Sequence, residues 1–158
     1  MDQVDRELLS ALVSDGRATY QDLGAKVRLS PNTVAERVRR LQHNGVLTGF
    51  HAQVDLEALG RSLTLLCDIS LREDVARGDF ERGLSEVPQV ISAFHLTGEY
   101  DYELRLACVG TDEFEDVIDV LKGTHGVRRL RSRLILREVR LSSDSLLRQP
   151  SKSSHRKR

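Results

Sequence analysis

The chain has 158 residues, enough for one domain of ordinary size or two small ones. Its 39% hydrophobic and 30% charged content fits a soluble globular protein, and no apolar run approaches the roughly 18 residues that span a bilayer. Formal net charge is zero, so the whole-chain sum does not announce a nucleic-acid binder.

The start, MDQVDRELL, carries early acids and no apolar core of a signal peptide. A cytoplasmic location is the resulting expectation. From Asp2 to Val13 the spacing predicts a first helix, with Val4, Leu8, Leu9, Leu12 and Val13 on its apolar face and Asp2 able to cap it. Asp15-Gly16 ends it. Thr19 and Asp22 then form a hydroxyl–acid capping pair before a helix of about two turns, striped by Tyr20, Leu23 and Val27. Gly24 lies inside that helix, where it costs about 1 kcal/mol relative to Ala, so a close helix–helix approach at this point is expected.

Arg28-Leu29-Ser30 makes a short turn into a third helix. Ser30 is a good N-cap, and Pro31 sits at the first helical position, where its missing N–H costs nothing. Val34, Val38 and Leu41 share one face. Asn32, Glu36, Arg39, Arg40 and His43 lie opposite, with Thr33 and Arg37 on the flank. Between Lys26 and Arg40 stand five basic residues and one acid, Glu36. Helix, tight turn and capped helix with an amide-bearing basic front is the helix-turn-helix pattern, suited to a DNA major groove. Ser30, Asn32, Thr33, Glu36, Arg37, Arg39 and Arg40 are the candidate DNA-binding residues. An ordinary helical hairpin with a solvated basic face is the plainer alternative. The expected core of this unit is Val4, Leu8, Leu12, Leu23, Val27, Val34, Val38 and Leu41, small for a domain standing alone.

Val46 to Leu56 alternates in part, which predicts a linker strand or hairpin, followed by a short turn at Glu57–Gly60. The second half then predicts strand Ser62–Leu71, helix Arg77–Val87, strands Val90–Leu96 and Tyr102–Val109, helix Thr111–Lys122 capped by Thr111, and a long strand Val127–Leu141. The order βαββαβ defines a ferredoxin-like domain, a four-stranded antiparallel sheet with both helices on one face. The organisation is therefore α+β: a three-helix helix-turn-helix domain over 1–45, a linker over 46–60, the βαββαβ domain over 61–142 and a basic tail over 143–158. The tail, polar and without period, is expected to be disordered.

Cys67 and Cys108 each fall in apolar strand-like runs, which fits buried thiols. With no clustered His pair they make no metal-ligand set. There is no GxGxxG, P-loop, GxSxG or HExxH, and the paired acids at Asp112-Glu113 and Glu115-Asp116 lie on an outer helical face. No enzyme and no cofactor is expected.

The stretches Asp5–Leu9, Asp15–Arg17, Leu29–Val34, Arg37–Leu41, Asn44–Phe50 and Thr97–Tyr102 occur in the order and spacing of one family. The chain resembles the leucine-responsive and asparagine-responsive (Lrp/AsnC, feast/famine) transcriptional regulators from about Asp2 to Leu141. The resemblance implies an N-terminal helix-turn-helix, a linker strand and a βαββαβ domain for effector binding and assembly. It also implies dimers, often gathered into octamers, with amino acids as effectors held by the Thr97–Tyr102 loop. The candidate effector-binding residues are Gly98, Glu99, Tyr100, Asp101 and Tyr102, with Ser132 in the last strand. Physically, Gly98 permits close backbone approach and Asp101 could accept from an α-ammonium, although a plain hairpin turn is the simpler reading of those residues. Without DNA binding, the chain would be a small-molecule-binding assembly module.

Overall fold

The computed structural model describes residues 1–139 together with Leu141 and Leu147. Residues 1–53 and 54–139 form separate compact units. In the first, α1 spans Gln3–Ser14, α2 Tyr20–Val27 and α3 Pro31–His43. Two capping boxes start the first two helices. Asp2 and Asp5 bond each other's backbone N–H at the head of α1, and Thr19 and Asp22 do so at α2. The Ser30 hydroxyl accepts from Thr33 N at α3. Each device satisfies donors that the first helical turn leaves orphaned.

The core is the expected one, with Leu8, Leu12, Leu23, Val34 and Val38 buried together and Val4 and Val27 packed at its edge. Leu41 is also buried. Each buried Val or Leu contributes about 1.5–3 kcal/mol, which fixes the face that α3 turns inward. Tyr20, expected on the apolar stripe, is instead exposed. Gly24 does mark a close approach, to backbone rather than to a helix: a Cβ there would stand 2.5 Å from the Leu29 carbonyl oxygen.

In the second unit, β1 is Leu63–Leu71, α4 Arg77–Gly83, β2 Val90–His95, β3 Tyr102–Cys108, α5 Thr111–Gly123 and β4 Val127–Leu134. All pairings are antiparallel and the sheet order is β2-β3-β1-β4, the ferredoxin-like arrangement. Leu65, Cys67, Ile69, Leu104, Leu106 and Tyr102 face Phe80, Leu84, Val117 and Leu121 from the helices. The intervening residues carry charge: Arg131 and Arg133 pair with Asp68, and Arg133 also with Glu103.

Four sequence expectations change. Helix Arg77–Val87 stops at Gly83 and tightens into a 3₁₀ turn over Leu84–Glu86. Helix α5 begins after Gly110, so Thr111 is its first residue and makes no capping bond; the Glu113 carboxylate instead accepts from Val109 N. Strand β4 ends at Leu134 rather than Leu141, because β1 begins at Leu63 and the Ile135 N–H to Thr64 bond is the last between them. The linker 46–60 holds no strand: residues 48–55 make no backbone–backbone bond among the described residues, and a strand without a neighbour has no ladder to join. The turn at its end does form, over Leu56–Gly60. The tail expectation over 143–158 lies outside the described residues except at Leu147.

Gly24→Ala tests the tight turn. Helix propensity alone favours Ala, yet the neighbour is backbone and cannot swing aside, so the variant should lose about 1–3 kcal/mol in urea unfolding of the helical unit.

Candidate nucleic-acid interface and effector turn

Helix α3 presents three rows. Val34, Val38 and Leu41 are buried. Asn32, Glu36, Arg39 and His43, spaced i, i+4, i+7 and i+11, form the outermost row and all are exposed. Thr33, Arg37 and Arg40 form a flanking row beside the head of α1.

That flank is engaged. Arg37 Nη1 donates to Asp2 Oδ2 at 2.6 Å and to Asp5 Oδ1 at 2.8 Å. Arg40 Nη2 lies 3.3 Å from both Asp5 carboxylate oxygens. Asp5 is only 1% exposed, so its charge depends on these partners. Burial works against the Asp5 carboxylate, but the Asp2 N–H and the Arg37 guanidinium outweigh it and hold its pKa below the ordinary value. The Arg37 bond lowers Asp2 as well, and both acids in turn raise Arg37.

The seven candidate DNA-binding residues therefore divide. Ser30 caps α3, and its hydroxyl lies 2.8 Å from that of Thr33. Asn32, Glu36 and Arg39 stand on the front, where Arg39 Nε donates to its own helix at Ala35 O. Arg37 and Arg40 are drawn to α1. Asp2, the expected cap of α1, and Asp5, to which sequence reasoning gave no role, complete the flank. Their capping spacing was visible; their reach across some 35 residues to α3 was not.

The Thr97–Tyr102 turn joins β2 to β3. Gly98 has φ +120° and open space around it, a backbone state that favours glycine. Glu99 pairs with Arg129 at 2.6 Å, and the Arg129 and Arg131 guanidinium groups lie 4.8 and 5.3 Å from the Tyr100 ring centre. Asp101 is spoken for: its carboxylate accepts from Leu71 N at 2.9 Å, and its own N–H donates to Ile69 O. Tyr102 is a core residue, 2% exposed, packed on Phe80 and His95 with its hydroxyl donating to Glu81. Burial, reinforced by the bond to Glu81, pushes its pKa up to about 12. Ser132 is exposed on β4 opposite Cys67. The two arginines at Tyr100 escaped sequence reasoning, because only strand pairing brings β4 beside the turn.

Burial raises the Cys67 thiol to about 12 and Cys108 likewise upward, so neither supplies a thiolate near neutrality. Among the described residues no cluster of His, Cys, Asp and Glu could hold a metal, and no helix is long and apolar enough to cross a membrane.

A capped three-helix unit with a polar outward third helix, followed by a ferredoxin-like domain, is the architecture of a helix-turn-helix regulator. The AsnC-type helix-turn-helix domain matches residues 1–42, and the Lrp/AsnC ligand binding domain matches residues 64–144. The chain belongs to the Lrp/AsnC family of transcriptional regulators. It is 33% identical to the Bkd operon transcriptional regulator of Pseudomonas aeruginosa, over 90% of this chain and 95% of that one. It is also 33% identical to the regulator LrpA of Mycobacterium tuberculosis, over 86% and 90%. Among solved structures, a Neisseria meningitidis transcriptional regulator in complex with L-methionine superposes with TM-score 0.84 at 31% identity, covering 91% of this chain and 95% of that one. The feast or famine regulatory protein of M. tuberculosis complexed with L-methionine gives 0.83 at 32%, covering 90% and 96%.

The depressed Asp2 and Asp5 values fix a pH dependence. A carboxylate lowered in the folded state contributes stability above its unfolded pKa, near 4, and that stability is lost as pH falls through the folded value. Protection of the α1 and α3 amides, taken relative to their intrinsic exchange rates, should therefore fall in acid below about pH 4, and less steeply in Arg37→Gln, which starts without the pairing.

Proposed function

We propose that the chain is a sequence-specific double-stranded DNA-binding regulator whose assembly or DNA binding is modulated by an amino acid or similar small effector. The observation that carries it is the exposed row Asn32, Glu36, Arg39 and His43 on a helix whose opposite face is locked into the core. Amides read adenine, carboxylates accept from cytosine, and guanidinium groups pair with guanine. Thr33 and Arg40 border that row. The site of action is the cytoplasm, and no membrane takes part.

One helical unit of 45 or so residues covers a single half-site, and a dimer places two such helices about 34 Å apart, one turn of DNA. Support for a homodimer, or an octamer built from it, comes from the linker. Its backbone over 48–55, without backbone–backbone bonds among the described residues, and its exposed Phe50 and Val54 suit pairing with a second copy. Light scattering at micromolar concentration should give a dimer or a multiple of it; a monomer contradicts this arrangement.

The effector reading rests on the turn at 98–102 and on the methionine held by two relatives' structures. Gly98, Glu99 and Tyr100 are the residues placed to touch a ligand, with Ser132 a weaker candidate. Asp101 and Tyr102 hold the turn in place. Calorimetric titration of the twenty amino acids should find at least one ligand. Gly98→Ala, strained at φ +120°, should abolish that heat while DNA binding persists. If a ligand binds both proteins equally, the pocket lies elsewhere. An assembly module without DNA binding is the competing function; a salt-independent or absent interaction with duplex DNA would favour it.

A further inference from the structure

Resting on the reading of α3 as the groove helix, we propose that Arg37 is a positioning residue that clamps α3 to the capping box of α1, and that sequence is read by the row Asn32, Glu36, Arg39 and His43. Both carboxylates of the α1 capping box converge on one guanidinium nitrogen, at 2.6 and 2.8 Å. Those carboxylates are themselves fixed, since Asp2 Oδ1 accepts from Asp5 N at 2.8 Å and Asp5 Oδ2 accepts from Asp2 N at 3.0 Å. The Arg37 side chain is 23% exposed, against 55% for Arg40. To reach a base, an Arg37 whose Nη1 serves two carboxylates would have to give up its bond to Asp5, whose side chain is only 2% exposed and would be left to Arg40 and the Asp2 N–H.

The geometry gives the clamp a purpose. Base edges are recognised by bidentate hydrogen bonds that tolerate little displacement. Val34, Val38 and Leu41 set which face of α3 turns inward. A two-pronged bond on the flank, level with the middle of the reading row and about a quarter-turn round the helix, opposes any roll of α3 about its axis. It ties the pitch of α3 to the N-terminal turn of α1, the only part of that helix whose backbone donors are also locked by the same acids. Clamp and reading row are thus different rows of one helix, spaced so that one can be altered without touching the other.

The test uses the full chain, a duplex selected from a randomised pool by the wild-type protein, and a random-sequence duplex of equal length. The readout is the ratio of the two affinities, which a mere loss of folded protein would leave unchanged. Arg37→Gln and Asp5→Asn should each lower affinity for the selected duplex about tenfold, the size of one lost base contact, with random-duplex affinity kept. The slope of log affinity against log salt should stay unchanged in Arg37→Gln, whereas losing a phosphate contact lowers it by about one. Asp2→Asn, at the half-exposed end of the clamp, guards against misfolding and should weaken selected-site binding in the same direction. Removing an acid from a base-reading arginine would do the opposite and raise affinity. A higher affinity in Asp5→Asn or Asp2→Asn, or a reduced salt slope in Arg37→Gln, overturns the proposal. If the wild-type chain selects no sequence, the groove-helix reading itself fails.

Discussion

The helical unit depends on one buried charge. Asp5 is almost fully withdrawn from water, and an unpaired carboxylate there would cost several kcal/mol. Its two oxygens are matched by the Asp2 N–H, by Arg37 and by Arg40. That single requirement joins the start of α1 to the flank of α3. The apolar core decides which face of α3 turns inward, and the ion pairs fasten its flank to the head of α1. What remains exposed is the row Asn32, Glu36, Arg39 and His43, which neither the core nor these ion pairs use.

In the second unit the governing constraint is backbone pairing. Strand β1 lies between β3 and β4, and the extent of β1 sets where β4 stops. The same rule explains the linker, whose alternating pattern is that of a strand but which has no strand partner among the described residues. At the effector turn the side chains divide as they do on α3. Asp101 closes the end of β1 through Leu71 N–H and Tyr102 fills the core, while Gly98, Glu99 and Tyr100 stay outside.

Much of this was legible in the chain itself. Ser30-Pro31 and Thr19-x-x-Asp22 announce helix starts because capping chemistry is local. Strand alternation through Leu65, Cys67 and Ile69 marks a face for the same reason. What could not be read was long-range. The fold brings Asp5 to Arg37 and Arg40 and Leu71 N–H to one oxygen of Asp101, pairings that lie some 30 or more residues apart in the chain. Thr111 misled for a local reason: Gly110 already holds the extended cap geometry, and Glu113 supplies the bond to Val109 N–H.

The central claim is that α3 reads DNA with its outermost row while its flank stays bound to α1. A crystal structure of the full chain on its selected duplex tests it most directly. The account predicts Asn32, Glu36 and Arg39 within hydrogen-bond distance of base edges in the major groove, with the Arg37 guanidinium still on Asp2 and Asp5. An Arg37 swung away from Asp5 and bonded to a guanine, or an α3 lying outside the groove, would contradict it.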